Sequence, residues 1–106
     1  MKQTIHKLSE DGRVAVLYSP GFGAGWYTWN REYPQIVFDP AIVRYVERQE
    51  WDKLDEYMKL KYPDAYLGGM KDLQVAWMPE GTLFRIHEYD GSENIEVKEE
   101  LDWLVA

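Results

Sequence analysis

The chain contains no Cys and only two His residues. The lack of Cys excludes disulfides, a thiolate nucleophile and Cys-based metal sites, and it fits a reducing compartment. Two His residues without Cys make a transition-metal site an unfavoured interpretation. We therefore expect neither a metal ion nor a cofactor.

Long apolar runs and basic clusters are also lacking. No apolar run approaches the ~18 residues of a membrane span, and Met1–Lys7 has no apolar core of the kind found in signal peptides. Lys and Arg are scattered singly, and 19 acidic against 12 basic side chains give a net charge of −7. We expect a cytoplasmic protein that contacts neither membranes nor nucleic acid directly. Such acidity also permits binding to the nucleic-acid-binding surface of a partner.

Aromatic side chains, by contrast, are abundant. The 106 residues include five Trp and eight Tyr, which is more than one small core needs. The length indicates a single globular domain spanning residues 1–106. Some rings are therefore expected at a surface, where Tyr and Trp supply rigid contact area. This surplus favours a homo-oligomer over a monomer.

The first half of the chain predicts a hairpin and two helices. Asp11-Gly12 is typical of a tight turn, and the apolar run 13–18 indicates a strand buried on both faces, with residues 2–9 as a possible edge strand. Asp39 and Pro40 predict a helix start. The apolar spacing breaks phase near residue 49, so we expect helices 40–49 and 50–62, or one kinked helix, ended by Pro63. Their core-facing residues are predicted to be Val43, Val46, Trp51, Leu54 and Met58.

The second half predicts strands 73–78, 82–89 and 94–98, separated by turns at 79–81 and at Asp90-Gly91. We interpret residues 73–98 as a three-stranded antiparallel meander. The fold class is then α+β: an antiparallel sheet made of the meander 73–98 and strand 13–18, with one or two helices (40–62) packed on it. The tail 99–106 is expected to form a last strand or a short helix.

A glycine–aromatic stretch, residues 19–30, follows the first strand. A dinucleotide fingerprint requires Gly where Trp26 stands, and a P-loop requires Gly-Lys-Ser/Thr where Trp26-Tyr27 stand, so neither site is present. One interpretation is a loop whose backbone approaches a ligand and binds an anion through its N–H groups. The alternative is that the glycines let Trp26 and Trp29 fold back over the sheet.

Strand 82–89 places Arg85, His87 and Tyr89 on one face, a row of donors that suits a phosphate or carboxylate. A solvent-facing sheet surface explains the same row. No Gly-x-Ser-x-Gly elbow is present, and the Asp residues read as caps or turn formers, so we expect no enzyme. A hydrolase using His87 with Asp and Glu is the runner-up.

Several motifs together resemble small proteins encoded in phages and prophages. They are SPGFGAGWYTWN, VFDP, AYLGG and DLQVAWMPEGTLFRIHEYDGSE, and the resemblance covers residues 14–97. It implies a phage accessory protein that acts in the bacterial cytoplasm and counters a host defence. It brings no catalytic residues.

The sequence thus predicts a non-enzymatic protein that binds a small nucleotide-like ligand, with rings stacking on the base and Arg85 meeting phosphate. The alternative is an acidic interaction protein that docks on a host protein, and the same groups also suit a self-complementary dimer interface. The predicted ligand-binding residues are Gly21, Phe22, Gly23, Gly25, Trp26, Tyr27, Trp29, Tyr66, Arg85 and His87.

Overall fold

The fold is organised around strand β2 (Arg13–Tyr18), which matches the predicted strand 13–18. In the computed structural model, which describes residues 5–21 and 25–98, β2 pairs antiparallel with β1 (Ser9–Glu10) and with β3 (Gln74–Pro79). The β1–β2 turn has positive φ at Asp11 (52°) and Gly12 (75°), as the Asp-Gly pair predicts. Of the predicted edge strand 2–9, only Ser9 is in the two-residue β1, and residues 1–4 lie outside the described residues.

Two helices cover one face of this sheet. Helix α1 (Pro40–Glu47) begins after Asp39, and helix α2 (Trp51–Lys61) follows a break at Gln49, whose φ is +57°. The predicted pair of helices is therefore confirmed, rather than one kinked helix. Four of the five predicted core-facing residues are buried, namely Val43, Val46, Leu54 and Met58. The fifth, Trp51, is partly buried and packs against the same core.

The opposite face of the sheet is covered by a separate hairpin, β4 (Phe84–Tyr89) with β5 (Ser92–Val97). Its Ile86 and Ile95 pack against a cluster that contains Val16 and Met78. Strand β2 therefore lies between helices and hairpin, and Ala15, Val16 and Leu17 are all fully buried. The predicted burial of this strand on both faces is confirmed.

The α+β class with antiparallel sheets is confirmed, but the pairing of the last three strands differs from the predicted meander. β3 pairs with β2, whereas β4 pairs only with β5. The chain turns after Pro79, and the hairpin packs on the face of the sheet instead of adding strands to its edge. This arrangement buries the apolar sides of both layers, which a single sheet would leave in contact with water.

Two further expectations concern the ends and the membrane. Within the part of the chain that the structure describes, no helix is long and apolar enough to cross a bilayer. The predicted strand or helix at 99–106 lies outside the described residues.

Candidate functional site

The glycine–aromatic stretch is closed into a loop by Glu93, the second residue of β5. The Glu93 side chain is fully buried. Its Oε1 accepts a hydrogen bond from the Ser19 backbone N–H (2.9 Å), and its Oε2 accepts from the backbone N–H and the hydroxyl of Thr28 (both 2.8 Å). The Glu93 N–H also donates to the Ser19 carbonyl (2.8 Å). A single carboxylate, held by neutral donors, therefore fixes both ends of the loop.

Sequence reasoning missed Glu93, although a signal was present. Residues 93, 95 and 97 share one face of β5, and Ile95 packs inward on the second core cluster. The same alternation directs Glu93 inward, where a carboxylate must find hydrogen-bond donors. An acidic residue on the buried face of a strand would have indicated a structural anchor, although not which segment it holds.

The two loop glycines that the structure describes, Gly21 and Gly25, are explained by contacts within the chain. A Cβ at Gly25 would lie 2.4 Å from Thr28 Oγ1 and 2.7 Å from Trp29 Cδ1, and one at Gly21 would lie 2.4 Å from Asp72 Cγ. Atoms do not approach so closely, so a side chain at either position would force its neighbours to move, and this explains both glycines without a ligand. Of the predicted ligand-binding residues, Phe22 and Gly23 lie outside the described part of the chain.

Trp26 belongs to the core and not to a surface. Its ring is fully buried in the cluster on the helix side of the sheet, and its Nε1–H donates to the Ile36 carbonyl (3.3 Å). The prediction that Trp26 stacks on a ligand is corrected by this burial. Tyr27 is half-buried against the hairpin-side cluster, with the Arg31 guanidinium 5.6 Å from its ring centre.

Trp29 and Tyr66 are the two predicted site residues that the structure brings together at the surface. Their ring centres lie 5.1 Å apart at an interplanar angle of 38°, and the residues are 42% and 48% exposed. Trp29 Nε1–H donates to Glu88 Oε1 on β4 (3.4 Å). We call Trp29, Tyr66 and Glu88 the ring patch.

The ring patch rests on a rigid support formed by Asn30, which is fully buried. The Asn30 Nδ2 donates to the carbonyls of Trp26 (2.8 Å) and Tyr66 (3.0 Å), while its Oδ1 accepts from the Tyr66 N–H (2.6 Å). The loops that carry Trp29 and Tyr66 are therefore joined through one amide. Sequence reasoning missed Asn30 as well, since a single Asn among aromatics gives no distinctive signal.

Arg85 and His87 do not join the rings. Both contact Glu96 on β5: Arg85 Nη2 lies 3.1 Å from Glu96 Oε1, and His87 Nε2 contacts Glu96 Oε2. The hydrogen bond from Arg85, then the one from His87, lowers the pKa of the Glu96 carboxyl. Arg85 and His87 lie on the hairpin face opposite Glu88, because alternate residues of a strand point to opposite sides. The predicted single site of rings and Arg85 is thus not assembled.

A second buried carboxylate, Asp39, lies at the start of α1. Its Oδ1 caps the helix by accepting from the Ala41 N–H (2.9 Å), as the sequence predicts for an N-cap. Its Oδ2 accepts from the hydroxyls of Tyr57 and Tyr62, both at 2.7 Å, and from Lys61 Nζ at 3.3 Å. Burial alone would raise the pKa of Asp39, but the bonds from Tyr62 and Tyr57 and the Lys61 charge hold it below its ordinary value.

The two buried carboxylates, Glu93 and Asp39, are each held in a network of hydrogen bonds within the chain. Among the described residues there is no group of three or more His, Asp and Glu side chains able to hold a metal ion. A cavity of about 360 Å³ borders the start of the loop, between Gly21, Lys71, Asp72 and Gln74, but neither ring of the patch lines it.

Comparison with known proteins does not assign the chain to a family. The chain matches no protein-family model, no curated protein sequence and no solved structure. The resemblance to phage proteins therefore stays a prediction.

Proposed function

We propose that this chain is a non-catalytic interaction protein whose ring patch binds a partner protein through a basic surface of that partner. The observation that carries the proposal is the exposed contact between Trp29 and Tyr66. Trp and Tyr are the residues most enriched at the energetic centres of protein interfaces.

The loop glycines, which favour a small ligand when only the sequence is considered, have contacts within the chain that explain them. Gly25 is required by Thr28 and Trp29, and Gly21 by Asp72. Close approach of a ligand to the backbone is then unnecessary to explain either position. Trp26, the first of the three rings in the stretch, is unavailable for stacking because it is buried.

The rigidity of the patch supports binding. Asn30 fixes the backbone of Tyr66 in both directions, and Glu93 fixes Thr28, the residue before Trp29. Rings that are already positioned lose little conformational freedom when a partner covers them, so less of the contact energy is spent on ordering.

The charge around the rings favours a basic partner. Glu88 accepts a hydrogen bond from Trp29, and Asp64 lies exposed two residues before Tyr66. The chain as a whole carries a net charge of −7. Complementary charge raises the association rate and selects among partners. In the setting that the phage resemblance implies, the partner is a host protein, whose nucleic-acid-binding surface would have the required charge.

The experiment compares two ring variants with a matched control. Trp29→Ala and Tyr66→Ala remove the exposed rings, whereas Leu60→Ala removes an apolar side chain that is 87% exposed on α2. Each immobilised protein is presented to bacterial lysate, and the captured protein is then purified and titrated by calorimetry. We expect each ring variant to bind at least about 30-fold more weakly, the effect of a hot spot of ~2 kcal/mol, and Leu60→Ala to bind like the wild type.

Three results would contradict the proposal. One is a captured protein whose affinity is unchanged by both ring substitutions. Another is a small molecule released from the purified chain on denaturation and lost in Trp29→Ala or Arg85→Ala, which would support the nucleotide-like ligand. A third is a mass by light scattering of twice 12.6 kDa that returns to the monomer value in both ring variants, since the patch would then join two copies of this chain.

A further inference from the structure

A separate cleft of about 320 Å³ lies where the N-terminal segment meets the ends of the two helices. Ile5 and Pro40 form its apolar part. His6, Gln35 and Lys61 contribute polar side chains from three different parts of the chain. A concave site with an apolar wall and a few convergent polar groups is the usual form of a small-molecule site.

The floor of the cleft is a carboxylate whose capacity as an acceptor is already used. Asp39 accepts from two backbone N–H groups of α1, from the hydroxyls of Tyr57 and Tyr62, and from Lys61. A ligand that needed an acceptor or a negative charge would have to displace one of these bonds. Asp39 therefore shapes the cleft and orients Lys61 without itself recognising a ligand.

The remaining polar groups around the cleft, Lys61, Gln35 and His6, can each donate a hydrogen bond. Lys61 uses its ammonium toward Asp39 and lies 5.5 Å from the ring centres of both Tyr57 and Tyr62, yet about half of its side chain stays exposed. An ammonium has three N–H groups, so capacity remains for a ligand. The side chains of His6 and Gln35 make no hydrogen bond within the described residues. One cation and two unengaged polar side chains thus meet at one opening.

From this geometry we propose that the cleft binds a small organic anion, a carboxylate or a phosphate ester with an apolar body. The anionic group contacts Lys61 and the Gln35 amide, and the apolar body lies against Ile5 and Pro40. Charge-assisted hydrogen bonds of this kind are about twice as strong as neutral ones. The site shares no residue with the ring patch, so it is independent of the proposed interface.

The test uses four aromatic probes of similar shape and different charge: benzoate, phenyl phosphate, benzyl alcohol and benzylamine. Binding to the full chain is followed by ¹H–¹⁵N NMR, reading the amides of Ala41 and Ile42, which bond to Asp39. We expect the two anions to shift these amides saturably, with dissociation constants in the millimolar range that such small ligands reach. Benzyl alcohol should bind more weakly and benzylamine least.

Three variants localise the site. Lys61→Met removes the charge and keeps the apolar stem, Gln35→Leu removes the amide and leaves the Asp39 network intact, and Lys59→Met is the matched control. Lys59 lies on the same helix, is paired with Asp55 and does not line the cleft. We expect about tenfold weaker anion binding in Lys61→Met, a loss of about threefold in Gln35→Leu, and a change below about twofold in Lys59→Met.

Each alternative outcome overturns the proposal. Benzylamine binding as tightly as benzoate would show that the cleft does not select anions. Equal losses in Lys59→Met and Lys61→Met would show a general charge effect. If Lys61→Met alters the fold, as its melting temperature would reveal, Gln35→Leu decides alone, and unchanged anion affinity in that variant refutes the site.

Discussion

Replacing Glu93 by Ala tests whether one buried carboxylate holds the loop. The substitution leaves the backbone N–H groups of Ser19 and Thr28 without their acceptor. The Thr28 hydroxyl, which also donates to Glu93, can rotate toward another acceptor. An unsatisfied buried donor costs about 1–3 kcal/mol, and a hydrogen bond to a charged group contributes about 1.5–3 kcal/mol. Two orphaned backbone donors therefore predict a loss of about 3 kcal/mol in the free energy of unfolding.

Urea unfolding followed by circular dichroism measures this loss, and thermal melting provides a second reading. For a domain of this size about 4–8 °C in melting temperature corresponds to each kcal/mol, so Glu93→Ala should melt at least about 12 °C lower. Glu88→Ala is the matched control. Glu88 stands opposite Glu93 in the hairpin and also accepts a backbone N–H, from Gly91 at 2.7 Å, but it is exposed. We expect its loss to stay below about 1 kcal/mol, because water replaces the carboxylate.

Glu93→Gln separates the hydrogen bonds from the volume of the side chain. The amide fills the same space, but whichever way it is turned, its NH₂ faces a donor, either Ser19 N–H or Thr28 N–H. We expect a loss of about 1–3 kcal/mol, between the wild type and the Ala variant. Glu93 does not hold the loop if Glu93→Ala is no less stable than Glu88→Ala, or if Glu93→Gln is as stable as the wild type.

Two further predictions concern the second carboxylate and the loop glycine. The depressed pKa of Asp39 means that its contribution to stability is present above its unfolded value of about 3.9 and is lost as the pH falls through the folded value. Tyr62→Phe removes a 2.7 Å donor, so urea unfolding between about pH 6 and pH 2 should show a smaller loss on acidification than in the wild type; equal slopes would contradict this. Gly25→Ala places a Cβ 2.4 Å from Thr28 Oγ1, and this overcrowding should lower the free energy of unfolding by about 1–3 kcal/mol. An unchanged urea midpoint would contradict this prediction.

The ring patch and the cleft beside Asp39 depend on different buried residues. The patch depends on loops that Asn30 and Glu93 fix from beneath, so a variant at either residue should weaken binding through loss of structure. The cleft depends on Asp39, which caps α1 and orients Lys61. Variants at the surface, Trp29→Ala and Gln35→Leu, are therefore the ones that test function without testing the fold.

The sequence by itself determined the local elements. Strand 13–18, the break between the helices and the turns at Asp11-Gly12 and Asp90-Gly91 depend on neighbouring residues, through apolar periodicity, the Asp39 cap and the positive φ that an Asp-Gly pair accepts. The α+β class followed from the order of these elements. The alternation along strand 82–89 also placed Arg85 and His87 on one face and Glu88 on the other, as the structure has them.

Only the tertiary structure decided how those elements meet. Periodicity does not indicate which strands pair with each other. In the structure β4 and β5 form a separate hairpin instead of the expected meander, and this hairpin buries the face of β2 that the helices do not cover. Nor does composition distinguish a ring in the core from a ring at the surface: Trp26 and Trp29 are three residues apart, and one is fully buried while the other is 42% exposed. The difference arises from contacts outside the stretch itself, those of Glu93 with Thr28 and of Ile36 with Trp26, which its local pattern does not contain.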